Sequence, residues 1–351
     1  MKPNIILSQV SHLGITATDL DDVLNDHEEL VTNLMEKAAK HANGNVLGVG
    51  VTAVPHASGT GDSLAFLLLV DRLDQAARQR LSGNSTAGYR IVLEEIGAIN
   101  ASGRHEGGAN EQAQELEASD GFKGKYRPVT CGVSIAPSAE NYSGTLGCQV
   151  TSNKIKYMLS NNHVLADCNA LPVNTPISQP SPPDGGVPAD VVANLSYFVP
   201  LGAPGGTAPV DAAIAAFNNT PVDARMERED NKTEKMVSPI VAPVPKMDVQ
   251  KSGRTTGVTK GKVVAIGMTV ATNYAGYGTV TIQNAFSVKH ASGQFSQPGD
   301  SGSVITTAPQ NNPVGLLFAS DSDSKTTFAN TMQEVLTELA HGTGYAVNIV
   351  Y

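Results

Sequence analysis

At 351 residues, with 40% hydrophobic and 16% charged residues, 34 Gly and 20 Pro, the chain has the make-up of a turn-rich globular protein of two or three packed units. Its formal net charge of -9, with no basic stripe, argues against a nucleic-acid partner, which would need clustered Lys and Arg to displace counterions. Residues 1–8 carry only a three-residue apolar run, short of a secretory core, and no apolar run approaches the ~20 residues that span a bilayer. A soluble, cytoplasmic chain with neither nucleic-acid nor membrane partner is expected.

Apolar positions near a 3.6 spacing over residues 19–42, ending at Asn43-Gly44, predict an amphipathic helix. Val46 to Val54 and Ser63 to Val70 read as two strands around Gly/Ser turn material. Leu73 to Leu81 reads as a helix and Tyr89 to Ile96 as a third strand. The order predicts a small α+β domain over residues 1–98. Its Gly48-Val49-Gly50 lacks the third glycine and following helix of a phosphate loop. Gly61-Asp62-Ser63 is followed by Leu64 rather than glycine, and reads as part of a hairpin loop.

Residues 99–125 are rich in Gly, Glu, Asn, Gln and Ser and read as a linker. Over residues 126–351, short strand-like segments recur between Gly/Pro turns: 132–135, 145–150, 156–160, 191–198, 211–217, 262–266, 279–282, 302–306 and 314–318. This spacing predicts an all-β sandwich or a pair of barrels. The charged stretch within residues 220–236 reads as a solvated loop, and Thr331 to Ala340 as a closing helix. Cys131, Cys148 and Cys168 form no CxxC pair and read as free buried thiols, with a Cys148 to Cys168 bridge as the alternative. No metal or cofactor site is signalled.

A serine hydroxyl is a weak nucleophile at neutral pH and needs an imidazole base, a carboxylate to hold that base, and donors for the oxyanion. Gly299-Asp300-Ser301-Gly302-Ser303 offers a tight turn that exposes the Ser301 hydroxyl, with the Gly299 and Ser301 amides as oxyanion donors. Ser160-Asn161-Asn162-His163-Val164 puts a histidine just past a strand. Asp211-Ala212-Ala213-Ile214-Ala215 puts a carboxylate at the head of an apolar strand, where burial would demand a partner. Asp190, also ahead of an apolar strand, is the rival acid. The order His163, Asp211, Ser301, separated by 48 and 90 residues, differs from the subtilisin and α/β-hydrolase orders.

With those three motifs and Lys251-Ser252-Gly253-Arg254-Thr255-Thr256-Gly257-Val258-Thr259, residues 127–340 resemble the trypsin-like, chymotrypsin-fold serine peptidases, of the bacterial type related to the NAL1-like proteins. The resemblance implies a mainly β, chymotrypsin-like double β-barrel preceded by the small α+β domain, with the triad between barrels. It implies a serine endopeptidase acting on a protein or peptide substrate. It also puts Phe295, six residues before the serine, at the floor of the specificity pocket, with Phe318, Ala319 and Ser320 on a wall. No carboxylate stands there, so a small or apolar P1 residue is expected over Lys or Arg. Arg254 has no role from its chemistry alone. The N-terminal domain is open to a regulatory, scaffold or homo-oligomer role. The rival classes are an idle peptidase-fold binding module and an esterase-like hydrolase.

Overall fold

The computed structural model describes residues 46–55, 61–71, 85–86, 89–101, 122–228 and 232–351. The helices expected over 19–42 and 73–81 lie outside them. In chain order the strands begin with β1 (Val46–Pro55), β2 (Asp62–Val70), β3 (Ser85–Thr86), β4 (Tyr89–Glu95) and β5 (Ile99–Ala101). Then follow β6 (Val129–Cys131), β7 (Ser134–Pro137), β8 (Gly144–Thr145), β9 (Cys148–Ser152) and β10 (Ile155–Ser160), which leads into the four-residue helix α1 (Asn162–Leu165). Next come β11 (Pro176–Ser178), β12 (Val191–Phe198), β13 (Thr207–Ala208), β14 (Ala213–Phe217), β15 (Val222–Arg228) and β16 (Lys232–Glu234). The last group is β17 (Asp248–Gly253), β18 (Gly257–Tyr274), β19 (Gly278–Lys289), β20 (Val304–Thr307), β21 (Pro313–Asp321) and β22 (Thr326–Thr331). Helix α2 (Met332–Thr343) and β23 (Val347–Ile349) close the chain.

Two curled sheets carry the mainly β fold. The first runs β23-β9-β10-β14-β12-β11-β7-β8. Its inward residues, among them Ile135, Val150, Leu159, Leu195 and Ile214, are buried in one apolar cluster, which α2 caps with Val335 and Leu339. In the second sheet β17, β18, β19, β22, β21 and β20 pair in a ring, each with the next and β20 back with β17. The arrangement resembles a double barrel. β22, Thr-Thr-Phe-Ala-Asn-Thr, is buried along its whole length although five of its residues are polar or small.

The N-terminal strands extend the second sheet. β1 pairs antiparallel with β18, Gly48 opposite Val270 and Thr52 opposite Ala265, and β2 follows as an antiparallel hairpin partner. A Cβ on Gly50 would press on the Met268 side chain and stand 3.2 Å from the Ile266 carbonyl, so the Gly-Val-Gly segment allows a close backbone approach rather than a phosphate cradle. Asp62, at the end of that hairpin, pairs with Lys246 at 2.5 Å.

Two sequence readings change. Ile99–Ala101, assigned to a linker, is the strand β5, with Ile99 and Ala101 buried. The stretch read as a solvated loop forms β15 and β16, joined by β6 in a small third sheet. Two of its charges, Glu227 and Arg228, are buried: the Arg228 guanidinium donates to Glu234 at 2.9 Å, to Asn311 at 2.8 Å and to Ser252. A charge run buries when its partners arrive from distant segments, which no local pattern reports. The three cysteines are buried and form no disulfide, so the alternative bridge is not made.

Candidate active site

The pairing of β10 with β14 brings His163 and Asp211 together. Ser160 is opposite Ala213, so His163, three residues beyond the end of β10, meets Asp211, two residues before β14. His163 Nδ1 and Asp211 Oδ2 are 2.5 Å apart, and the His163 backbone N–H donates to Asp211 Oδ1 at 3.2 Å. Both side chains are buried, at 1% and 0% exposure, where a charged hydrogen bond is stronger than in water. Asp211 is fixed by its backbone as well: its carbonyl accepts from Asn161 Nδ2 at 2.7 Å, and its N–H donates to Asn330 Oδ1 at 2.9 Å. Asp190 is elsewhere, held by Lys125 and Arg127. The Lys125 hydrogen bond lowers its carboxyl below the usual carboxylate range, and the partnership explains its burial without any role at His163.

The other ring nitrogen of His163, Nε2, is buried and carries no hydrogen bond. Tyr274, at the end of β18, packs edge-on against the ring with centroids 5.8 Å apart. Burial pushes the Tyr274 phenol well above its ordinary pKa, and the neighbouring Asp211 and Cys168 add to this. The phenol therefore stays neutral beside the His163–Asp211 pair.

Ser301 is presented by the turn between β19 and β20. Gly299 and Gly302 have φ of +95° and +92°, a backbone region that penalises a Cβ. A Cβ at Gly302 would collide with the Ser160 hydroxyl and the Thr145 carbonyl, so the turn lies directly against the strand that leads to His163. Thr145 ties it there: its N–H donates to the Ser301 carbonyl at 2.8 Å and its hydroxyl to the Gly299 carbonyl at 2.9 Å. Ser160 Oγ donates to the Thr145 carbonyl at 2.8 Å. Among the described residues the Gly299 and Ser301 N–H groups have no acceptor, and no hydrogen bond joins Ser301 Oγ to His163.

Asp300 braces the turn from beneath. Its carboxylate accepts from the N–H groups of Thr255, Thr256 and Gln297 at 2.9, 3.1 and 3.0 Å, and from Thr256 Oγ1 at 2.7 Å. Lys251 Nζ, fully buried, lies 3.4 Å from Asp300 Oδ2 and donates to the Gly257 carbonyl. Burial lowers the Lys251 pKa, against the opposing pull of Asp300.

Arg254, without a role from sequence, bridges the two sheets. Nε and Nη2 bind both oxygens of Asp184, at 2.8 and 2.5 Å, and its backbone N–H donates to Thr145 Oγ1. Asp184 also accepts from Ser134 and Ser181. Burial raises the Asp184 carboxyl, but hydrogen bonds from Arg254 and Ser134 and the Arg254 charge outweigh it and hold the pKa below its ordinary value.

No family model and no curated protein matches the sequence. Solved structures similar to the chain include several proteases. One described as glutamic acid specific is 20% identical over 63% of this chain and 100% of its own, with a TM-score of 0.46. Thermobifida fusca protease A is 19% identical over 63% and 99%, with a TM-score of 0.45. A Nocardiopsis protease is 16% identical over 63% and 98%, with a TM-score of 0.45.

The expected pocket residues do not gather in one place. Phe295 is fully buried in a cluster with Val263, Val288 and Ile305, its carbonyl accepting from Thr259 Oγ1 and its ring 6.0 Å from Lys251 Nζ. Phe318 and Ala319 belong to a different cluster with Tyr274, Ile99 and Ala101, and Ser320 is half-buried. Sequence reasoning missed Thr145, Tyr274 and Asn330, which carry no local signature. Lys251 and Asp300 each stand in a motif the sequence singles out, Lys251 to Thr259 and Gly299 to Ser303, but nothing local links the two. Among the described residues no helix is long and apolar enough to cross a membrane, and no cluster of His, Cys, Asp or Glu has metal-binding geometry.

Proposed function

We propose that the chain is a serine hydrolase of chymotrypsin type, related to the bacterial and NAL1-like trypsin-like peptidases, that cleaves peptide bonds through His163, Asp211 and Ser301. The observation that carries this reading is the buried His163–Asp211 pair with its unengaged Nε2, next to a Gly-Asp-Ser-Gly turn. His163 Nε2 removes the Ser301 proton as Oγ attacks the substrate carbonyl, and Asp211 stabilises the imidazolium. The Gly299 and Ser301 amides receive the oxyanion. The imidazolium then protonates the leaving amine, and water, deprotonated by His163, releases the acyl group. The lack of a carboxylate among Phe295, Phe318, Ala319 and Ser320 is what supports a small or apolar P1 residue. A soluble, cytoplasmic protein acting on protein or peptide substrates completes the reading.

The decisive experiment is labelling with a fluorophosphonate, followed by digestion of a peptide library. The native chain should label at Ser301, Ser301→Ala should not label, and cleavage should follow small or apolar residues. Absence of labelling in the native chain would favour the idle binding module. Cleavage mainly after Lys or Arg would sink the pocket reading, and hydrolysis of esters alone would leave an esterase.

A further inference from the structure

Resting on the hydrolase reading, we infer that Ile99–Ala101 is the chain's own occupant of the peptide-binding edge beside Ser301, which an extended substrate must displace. The edge is defined by the way β20 ends. β21 pairs with β20 through Gly315 and Leu316. Leu317 then bonds the nucleophile turn itself, accepting from the Gly302 N–H at 2.9 Å and donating to the Ser303 carbonyl at 3.0 Å. Past Leu317 the neighbouring chain has turned away into Ser301, and that side of Phe318–Asp321 is free to pair with another strand.

β5 takes this place. It runs antiparallel to β21, Asn100 opposite Ser320 and Ile99 opposite Asp321. On its other side it is parallel to β18, with Ala101 opposite Tyr274, the residue packed against the His163 ring. As the chain advances from Ile99 to Ala101, its partner on β21 retreats from Asp321 toward Leu317 and the Ser301 turn. The strand therefore directs its C-terminal end at the nucleophile, the polarity required of the acyl side of a scissile peptide.

The side chains alternate as strand addition demands. Ile99 and Ala101, 1% and 2% exposed, enter the apolar cluster of Phe318, Ala319 and Tyr274. Asn100 faces out, and its side chain bonds Asn273 and the Ala98 carbonyl. A substrate replacing this strand would present an aliphatic and a small residue two positions apart to the same surface.

The test compares two covalent probes on the full chain: diisopropyl fluorophosphate, which carries no peptide, and an Ile-Asn-Ala phosphonate. Hydrogen exchange should show the Ile99–Ala101 amides losing protection only in the peptidyl adduct. Asn100→Pro, which removes a strand donor and fixes φ, should raise the inactivation rate by the peptidyl probe about tenfold, as for an edge otherwise open about a tenth of the time, with the small probe's rate unchanged. Amides that stay protected in the peptidyl adduct overturn the inference while leaving the hydrolase reading intact. A Ser301 that reacts with neither probe overturns both. The exchange measurement uses the unaltered chain, so it separates these outcomes even if Asn100→Pro fails to fold.

Discussion

Lys251 is fully enclosed, and the carboxylate it faces is the one that braces the Ser301 turn. Removing one member of a buried pair strands the other, a loss of about 3–5 kcal/mol, whereas replacing both is far milder. Lys251→Met should therefore lower the urea-measured unfolding free energy by about 3 kcal/mol or more. Lys251→Met combined with Asp300→Asn should recover part of the loss, and equal losses in the single and double variants would refute the coupling. Ser301, His163 and Asp211 were legible as candidates because each sits in a short motif of the right chemistry. Their support was not. Thr145 acts through its backbone N–H and one hydroxyl, Asn330 through one amide oxygen, and Tyr274 through the edge of its ring, none of which a sequence marks.

At the scale of elements, two neighbouring strands do most of the positioning. β10 and β14 were both visible as apolar segments, and their antiparallel register places His163 and Asp211 together without any special device. Joining the Ser301 turn to this sheet falls to Thr145, Ser160 and the Arg254–Asp184 pair. Asp184 has a folded pKa below its unfolded one, so its contribution is complete above the ordinary carboxylate range and is lost as pH falls through the lowered value. Thermal melts across an acid series should show Asp184→Asn less stable than the native chain near neutrality and flatter toward acid. Parallel curves for the two proteins would refute the assignment. β15 and β16 were unreadable for the opposite reason to β10: their charges look solvated until Asn311 and Ser252 arrive from the second sheet.

For the whole molecule, the N-terminal strands are hydrogen-bonded into the sheet that carries Ser301. Leu67 and Leu69 of β2 share a buried cluster with Met268, Val270 and Tyr274 of β18. Deleting residues 1–95 should bare the edge of β18 and this apolar surface, lowering Tm by about 5–10 °C, the shift for a loss of about 3 kcal/mol at this size, and promoting association detectable by light scattering. A truncated chain with unchanged Tm and dispersity would show the strands to be a dispensable addition. The sequence by itself determined the β-rich class, the position of most strands and the order His163, Asp211, Ser301, because periodicity, turn residues and short motifs are properties of neighbouring residues. Only the tertiary structure decided that Asp211 rather than Asp190 meets the histidine, that Lys251 answers Asp300, and that Ile99–Ala101 is a strand between β18 and β21. Each of these is a pairing between segments far apart in the chain, fixed by sheet register and by the need of buried polar groups for partners.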